Sequence, residues 1–253
     1  MKIRAVLFDL GYTLWDVDYS GETQAYETLR RRLAKGSGAP IPPAEKLRAA
    51  VSAVFLRETE AWLKGKLEQV PTEDIYRDAL ESLGLNIPAG YLSHVADDVL
   101  SRSIRYGVDP ETPQVLRALK ERGLAIGAVS NTYQSSRALE KSLAKHGLMQ
   151  YIDTLVVSSE VGWEKPHPAI FQEALRRLGV WAKETVFVGD MGWADIQGAQ
   201  AVGMKAVLTR QYRQEDRGDS KPDLVIERLS EVVDYVDRLN RDDPSGRLAA
   251  ARE

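Results

Sequence analysis

Ile3-Arg4-Ala5-Val6-Leu7-Phe8-Asp9-Leu10-Gly11-Tyr12-Thr13-Leu14-Trp15 is the stretch that decides the fold. Ile3 to Phe8 is a short apolar run, closed by an acidic residue and, two places later, by a glycine. Runs of this kind that stop at a turn signal read as buried strands. In an open parallel sheet, ligands bind in the crevice beyond the strand C-termini. Asp9 therefore stands at a strand tip, where it serves either an Asx-type turn or chemistry. The stretch alone favours the turn; three later strand ends reverse that.

Beyond residue 15 the pattern turns helical and stays so to about residue 105. Tyr26, Leu29 and Leu33 share a face over 21–35, and the Gly/Pro-containing segment 35–40 breaks it. Leu47, Val51, Val54, Phe55, Ala61 and Trp62 mark a helix over 43–65. Thr72-Glu73-Asp74 is an N-terminal signature for 72–83, with Gly84 as the stop. Leu92, Val95, Ala96, Val99, Leu100 and Ile104 mark a fourth helix over 89–105. These stripes read as the core of a helical bundle. From about residue 109 strands and helices alternate: strands at 124–130, 154–158, 185–189, 205–209 and 223–226, helices at 113–122, 135–146, 168–178, 194–202 and 230–239. Alternation implies a parallel sheet wound by right-handed crossovers. The expected fold is α/β: a Rossmann-like parallel-sheet core from residues 1–15 and 106–240, an inserted all-helical cap domain at 16–105, and a flexible polar tail at 241–253.

Composition narrows the function. The formal net charge of −3 over 253 residues argues against nucleic acid as a partner. The absence of cysteine excludes disulfides, thiolate catalysis and cysteine-held metal, and fits a cytoplasmic location. The N-terminus is too short in apolar residues for a signal peptide, and no run approaches the ~20 apolar residues of a membrane span.

The strand ends carry the chemistry. The first ends in Asp9, the second in Ser130-Asn131; Gly162-Trp163-Glu164-Lys165-Pro166 follows the third, and the fourth runs into Gly189-Asp190 with Asp195 close behind. Asp9 can attack phosphorus and form an acyl phosphate. Asp9, Asp190 and Asp195 offer the hard oxygen ligands that Mg²⁺ takes. Ser130 can donate to a phosphoryl oxygen, and Lys165 can offset the charge of a crowded acidic site. Each has an ordinary use too: Ser130-Asn131 as a cap or loop, Lys165 as a solvated lysine, Asp190 as a turn, Asp195 as an exposed helix residue. Their joint occurrence in order is what favours a site.

With these stretches the chain resembles the haloacid dehalogenase superfamily, in particular its phosphatase-like members with a helical cap after the first strand. The resemblance rests on Leu7–Leu14, Val129-Ser130-Asn131-Thr132, Gly162–Phe171 and Val188–Ala199. It implies that Asp9 is the nucleophile, that Ser130 and Asn131 hold the phosphoryl group, and that Lys165 steadies the charged site. It further implies that Asp190 binds Mg²⁺ with Asp195 in support, and that the backbone of Gly11 faces phosphate and metal. The substrate implied is a small phosphorylated metabolite, selected by the cap; the stripes of the cap fit a monomer or a homodimer.

One position departs from the pattern. Most phosphatases of this family carry an acid–base aspartate two residues after the nucleophile, where this chain has Gly11. General acid–base catalysis is worth ~10²–10⁴-fold, so poor leaving groups should suffer most. Asp16 and Asp18 follow closely and could substitute from the hinge, although water-facing hinge residues are the simpler reading. Two rivals stand beside the phosphatase: a 2-haloacid dehalogenase in which Asp9 attacks carbon, and a weakened phosphate- or partner-binding protein. The dehalogenases carry tyrosine then glycine in the first loop, whereas this chain has Gly11 then Tyr12. Lys64 and Lys66 could serve a Schiff-base branch but read as surface charges. Trp15, Trp163 and Trp193, beside the hinge and the motifs, are either cavity walls or loop packing.

Overall fold

A computed structural model describes residues 2–36, 40–214 and 220–241. Eight strands occur among them: β1 Ala5–Phe8, β2 Asp16–Asp18, β3 Arg105–Gly107, β4 Ala125–Ser130, β5 Thr154–Val157, β6 Thr185–Gly189, β7 Lys205–Thr209 and β8 Leu224–Ile226. Six form one sheet in the order β5-β4-β1-β6-β7-β8, with every neighbouring pair parallel. The chain builds β1, β4 and β5 to one side, then crosses to lay β6, β7 and β8 on the other. The strand order reverses between β1 and β6, and a crevice opens at such a switch point beyond the strand C-termini. Asp9 follows β1 there, and Asp190 follows β6.

β1 is wholly buried because both sheet faces are covered. Its side chains alternate between two apolar clusters. Val6 and Phe8 pack with Ile126, Ala128 and Val188 on one face; Leu7 packs with Val129, Phe171 and Phe187 on the other.

Four helices fill the segment after the first strand: α1 Glu22–Gly36, α2 Ala44–Leu63, α3 Thr72–Glu81 and α4 Ala89–Ser103. Their stripes meet in a third cluster that includes Leu29, Leu47, Val51, Ile75, Tyr76 and Leu92. The sequence predicts no strand here, but β2 and β3 pair antiparallel, Val17 opposite Tyr106, and form a ribbon between the helices and the sheet. Three-residue strands are too short for an alternating pattern to emerge, and only their middle residues are half-buried. The helix expected over 194–202 opens instead as a wider π turn, Gly192–Gln197, and is α-helical only over Gly198–Ala201. The last helix, Glu231–Arg241, includes the first residue of the expected tail, and 242–253 lie outside the described residues. Among the described residues no helix is long and apolar enough to cross a membrane.

The four-helix layer is tied down over the strand ends by polar contacts. Trp62 Nε1 donates to the Lys165 carbonyl (2.9 Å), Gln69 N to Gly162 O (3.0 Å), and Glu164 N to Leu67 O (2.8 Å). The Trp62 and Trp193 rings lie 4.9 Å apart across the same seam. Trp62→Phe keeps an aromatic ring but removes one bond, worth ~0.5–1.5 kcal/mol. Hydrogen exchange should then quicken at the Gln69 and Glu164 amides and stay unchanged in β1 and β4.

Candidate active site

Asp9 continues the β1 ladder, its N–H donating to Val188 O at 2.9 Å. The chain then turns tightly: Leu10 O accepts from Thr13, Leu14 and Trp15 N–H groups. The left-handed residue in this turn is Tyr12 (φ 56°), not Gly11. A side chain at φ > 0 is uncommon and costs strain. The Tyr12 ring is covered by the Arg213 guanidinium, 4.0 Å from its centroid.

Lys165 is the hub. Only 2% of it is exposed. Its Nζ lies 2.7 Å from Asp9 Oδ1 and 2.7 Å from Asp195 Oδ1, and donates to Val129 O at 3.1 Å. Burial pulls the ammonium's pKa down, but Asp195 and Asp9 outweigh that and hold it above the ordinary lysine value. The solvated-lysine reading is thereby displaced. Asn131 clamps the backbone beneath: its Oδ1 accepts from Lys165 N (2.7 Å) and its Nδ2 donates to Lys165 O (3.1 Å). That leaves one amide hydrogen of Asn131 for another partner.

Asp195 is placed by the π turn and by a glycine. A Cβ at Gly189 would come within 2.4 Å of Asp195 Cγ, so only glycine lets the carboxylate lie against the end of β6. Asp195 Oδ2 accepts from Met191 N at 2.9 Å. Asp190 faces Arg213, with Nη1 3.0 Å from Oδ2. Burial raises the pKa of Asp190 strongly, and Asp195 and Asp9 add to it. Burial likewise raises that of Asp9, which Lys165 opposes.

One carboxylate oxygen from each of Asp9, Asp190 and Asp195 falls within a 4.8 Å group. Asp190 Oδ2 and Asp195 Oδ1 have cations nearby but no aligned hydrogen-bond donor. Three buried carboxylates, two of them with an oxygen that no donor satisfies, suit a hard divalent cation. This donor set fits Mg²⁺.

These groups open onto a cavity of about 300 Å³ that Asp9, Gly11, Ser130, Asn131, Lys165 and Asp190 also line. Gly11 has no backbone need to be glycine: its φ is ordinary, and a Cβ would meet only Val17 Cγ2 at 3.5 Å. Asp16 and Asp18 are exposed and bond locally, to Val17 N and Ser20 N. Neither lines the cavity, so neither substitutes for an acid at position 11. Lys66 pairs with Glu58 (3.0 Å), and Lys64 is exposed. Trp15 is buried, stacked on Tyr106 at 4.1 Å, and forms a cavity wall. Trp163 stacks on His167 at 3.9 Å, and Trp193 meets Trp62. Sequence reasoning misses two wall residues: Arg213 lies outside every motif, and Glu164 sits beside Lys165 in the Gly162–Pro166 stretch without a role of its own.

Residues 3–203 match the model of the haloacid dehalogenase-like hydrolase family. The chain is 31% identical to a glyceraldehyde 3-phosphate phosphatase of Methanopyrus kandleri, over 95% of this chain and all of the relative. It is 32% identical to a phosphoserine phosphatase of Thermus thermophilus, over 74% and 72% of the two chains. Among solved structures, a 2-haloacid dehalogenase from Pseudomonas syringae pv. Tomato superposes with a TM-score of 0.65 at 28% identity, covering 94% of this chain and 99% of that one. The chain belongs to the haloacid dehalogenase-like hydrolases.

Removing Lys165 would leave Asp9 and Asp195 buried without their shared cation. Breaking a buried pair from one side costs ~3–5 kcal/mol. Lys165→Met should lower unfolding free energy by about that amount in a denaturant titration; a loss under about 1 kcal/mol would contradict the placement of Lys165.

Proposed function

We propose that the protein is a Mg²⁺-dependent phosphatase of a small phosphate monoester, acting through an acyl phosphate on Asp9. The observation that carries this reading is the buried Lys165 shared by Asp9 and Asp195 beside a third carboxylate, Asp190, at the sheet's switch point. The relatives whose names specify glyceraldehyde 3-phosphate and phosphoserine point to compact phosphate esters, and a cavity of about 300 Å³ holds a molecule of that size.

In this reading Asp9 Oδ attacks phosphorus from the sheet side. Lys165 keeps Asp9 ionised and oriented, and its charge opposes the charge that gathers as the bond forms. Ser130, at the end of β4, offers a hydroxyl to a phosphoryl oxygen. Asn131 holds the Lys165 backbone and has one amide hydrogen left for the same group. Asp9, Asp190 and Asp195, with the Gly11 carbonyl, would hold Mg²⁺, which supplies the positive charge that lets a dianionic ester approach three carboxylates. Position 11 supplies no proton to the leaving oxygen.

The second reading, hydrolysis of a 2-haloacid at carbon, is favoured by the solved relative of that activity. The clustered carboxylates count against it, since attack on carbon needs no divalent cation. Phosphate release from an activated aryl phosphate separates the two. Release should require Mg²⁺, stop on chelation, and fall by ~10³-fold or more in Asp9→Asn. Halide release from a 2-haloacid with chelator present would put the second reading first. Ligand-induced stabilisation without product would favour a binding protein.

Mg²⁺ should also raise Tm, because it binds only the folded cluster. Asp190→Asn should abolish most of that rise; an equal rise in the variant would remove Asp190 from the metal site.

A further inference from the structure

Gly11 deprives the first loop of an acid, yet the cavity has a carboxyl to spare. Among the described residues, the carboxyl groups lining it are those of Asp9, Asp190 and Glu164. Asp9 is engaged by Lys165, and Asp190 faces Arg213. The Glu164 side chain is half-buried and accepts no hydrogen bond from any described residue. Its backbone, by contrast, is pinned: N–H to Leu67 O at 2.8 Å, C=O from His167 N at 2.8 Å, with Lys165 next in the chain. That places Glu164 where the sheet meets the helical layer. Asp9 attacks from the sheet, so an in-line leaving group departs toward that layer.

We propose that Glu164 is the acid–base residue that Gly11 lacks: it protonates the leaving oxygen and then deprotonates the attacking water. This rests on the phosphatase reading above. In the first step the Asp9 carboxylate forms a bond to phosphorus, the bond from phosphorus to the ester oxygen breaks, and that oxygen takes the Glu164 proton, giving an alcohol and a Glu164 carboxylate. In the second, water adds to phosphorus, its proton returns to Glu164, and the bond to Asp9 breaks, releasing inorganic phosphate and the free Asp9 carboxylate.

The surroundings suit both roles. Burial, and then Glu58 across the seam, push the Glu164 pKa up to about 7, against a smaller pull from Lys66. The Glu164 charge is also felt by the Tyr133 phenol, and Lys165, next in the chain, directs its ammonium to Asp9 and Asp195. A pKa raised to about 7 keeps the acid form below that pH and the base form above it, so both exist near neutrality.

The test compares kcat/KM for p-nitrophenyl phosphate and for a glycerol phosphate, with saturating Mg²⁺. This parameter reports events through loss of the leaving group, and only the alkoxide needs a proton. Glu164→Gln should leave the aryl ester within about threefold and slow the alkyl ester by ~10²–10⁴-fold. The native protein's alkyl rate should fall as pH rises through about 7, and that limb should vanish in Glu164→Gln. Glu164→Asp should keep the limb with an intermediate rate, and it carries the test should the Gln variant unfold. Gly11→Asp added to Glu164→Gln should recover alkyl turnover, because a Cβ is accommodated at position 11. Equal losses on both esters at unchanged Tm, or no loss on the alkyl ester, would overturn the proposal and leave the phosphatase reading standing. A native protein that releases phosphate from neither ester would overturn both.

Discussion

A single buried ammonium holds the strand ends together. Lys165 Nζ contacts carboxylates that follow β1 and β6 and a carbonyl within β4, so three segments of the sheet converge on one charge. Water cannot take its place, because the group is almost wholly enclosed. Such pairs seldom add much stability relative to a well-packed apolar replacement, and their cost is desolvation. What this one achieves is placement: Asp9 is fixed at the point where the strand order reverses. The supporting pieces follow from that need. Asn131 fixes the backbone of Lys165, Gly189 makes room for Asp195, and the π turn brings Asp195 back against β6.

The helical layer depends on the same residue from above. Trp62 reaches the Lys165 carbonyl, and the adjoining Glu164 is bonded to the linker after α2. The loop that carries the buried cation is therefore also the loop that docks the helices. Any movement of the layer away from the sheet has to break the Trp62 bond to the Lys165 carbonyl. Lid motions of this kind commonly couple substrate entry to assembly of the site.

The sheet was legible in the sequence because its strands are short, apolar and end on chemistry-bearing residues. Asp9, Ser130, Lys165, Asp190 and Asp195 each terminate or follow a strand, and strand order brings such positions together. Helix stripes were legible for the usual reason of period. The ribbon of β2 and β3 was not: Asp16-Val17-Asp18 and Arg105-Tyr106-Gly107 hold one half-buried side chain each and pair across nearly ninety residues. Arg213 was invisible for a different reason. It lies in a polar segment beyond β7, and only the fold brings it to Tyr12 and Asp190. Glu164 sat in plain view beside Lys165, but its half-buried position opposite Glu58 is a property of the docked helices, not of its neighbours in sequence.

Charge balance explains why these pieces belong together. Three carboxylates meet two cations, Lys165 and Arg213, so the crevice is short of positive charge before any substrate enters. Burial makes the shortfall felt in the raised pKa values of Asp9 and Asp190, whose charged forms the crevice leaves undercompensated. A phosphate dianion would deepen it, which is why a divalent cation suits this donor set better than a third basic side chain. A further aspartate at Gly11 would add a fourth acid to that crowd, although the backbone there would accept one. Setting the acid at Glu164 instead moves it from the metal side to the seam with the helices. There it is raised by burial and by Glu58, and it need not share its proton with the carboxylates that hold the cation.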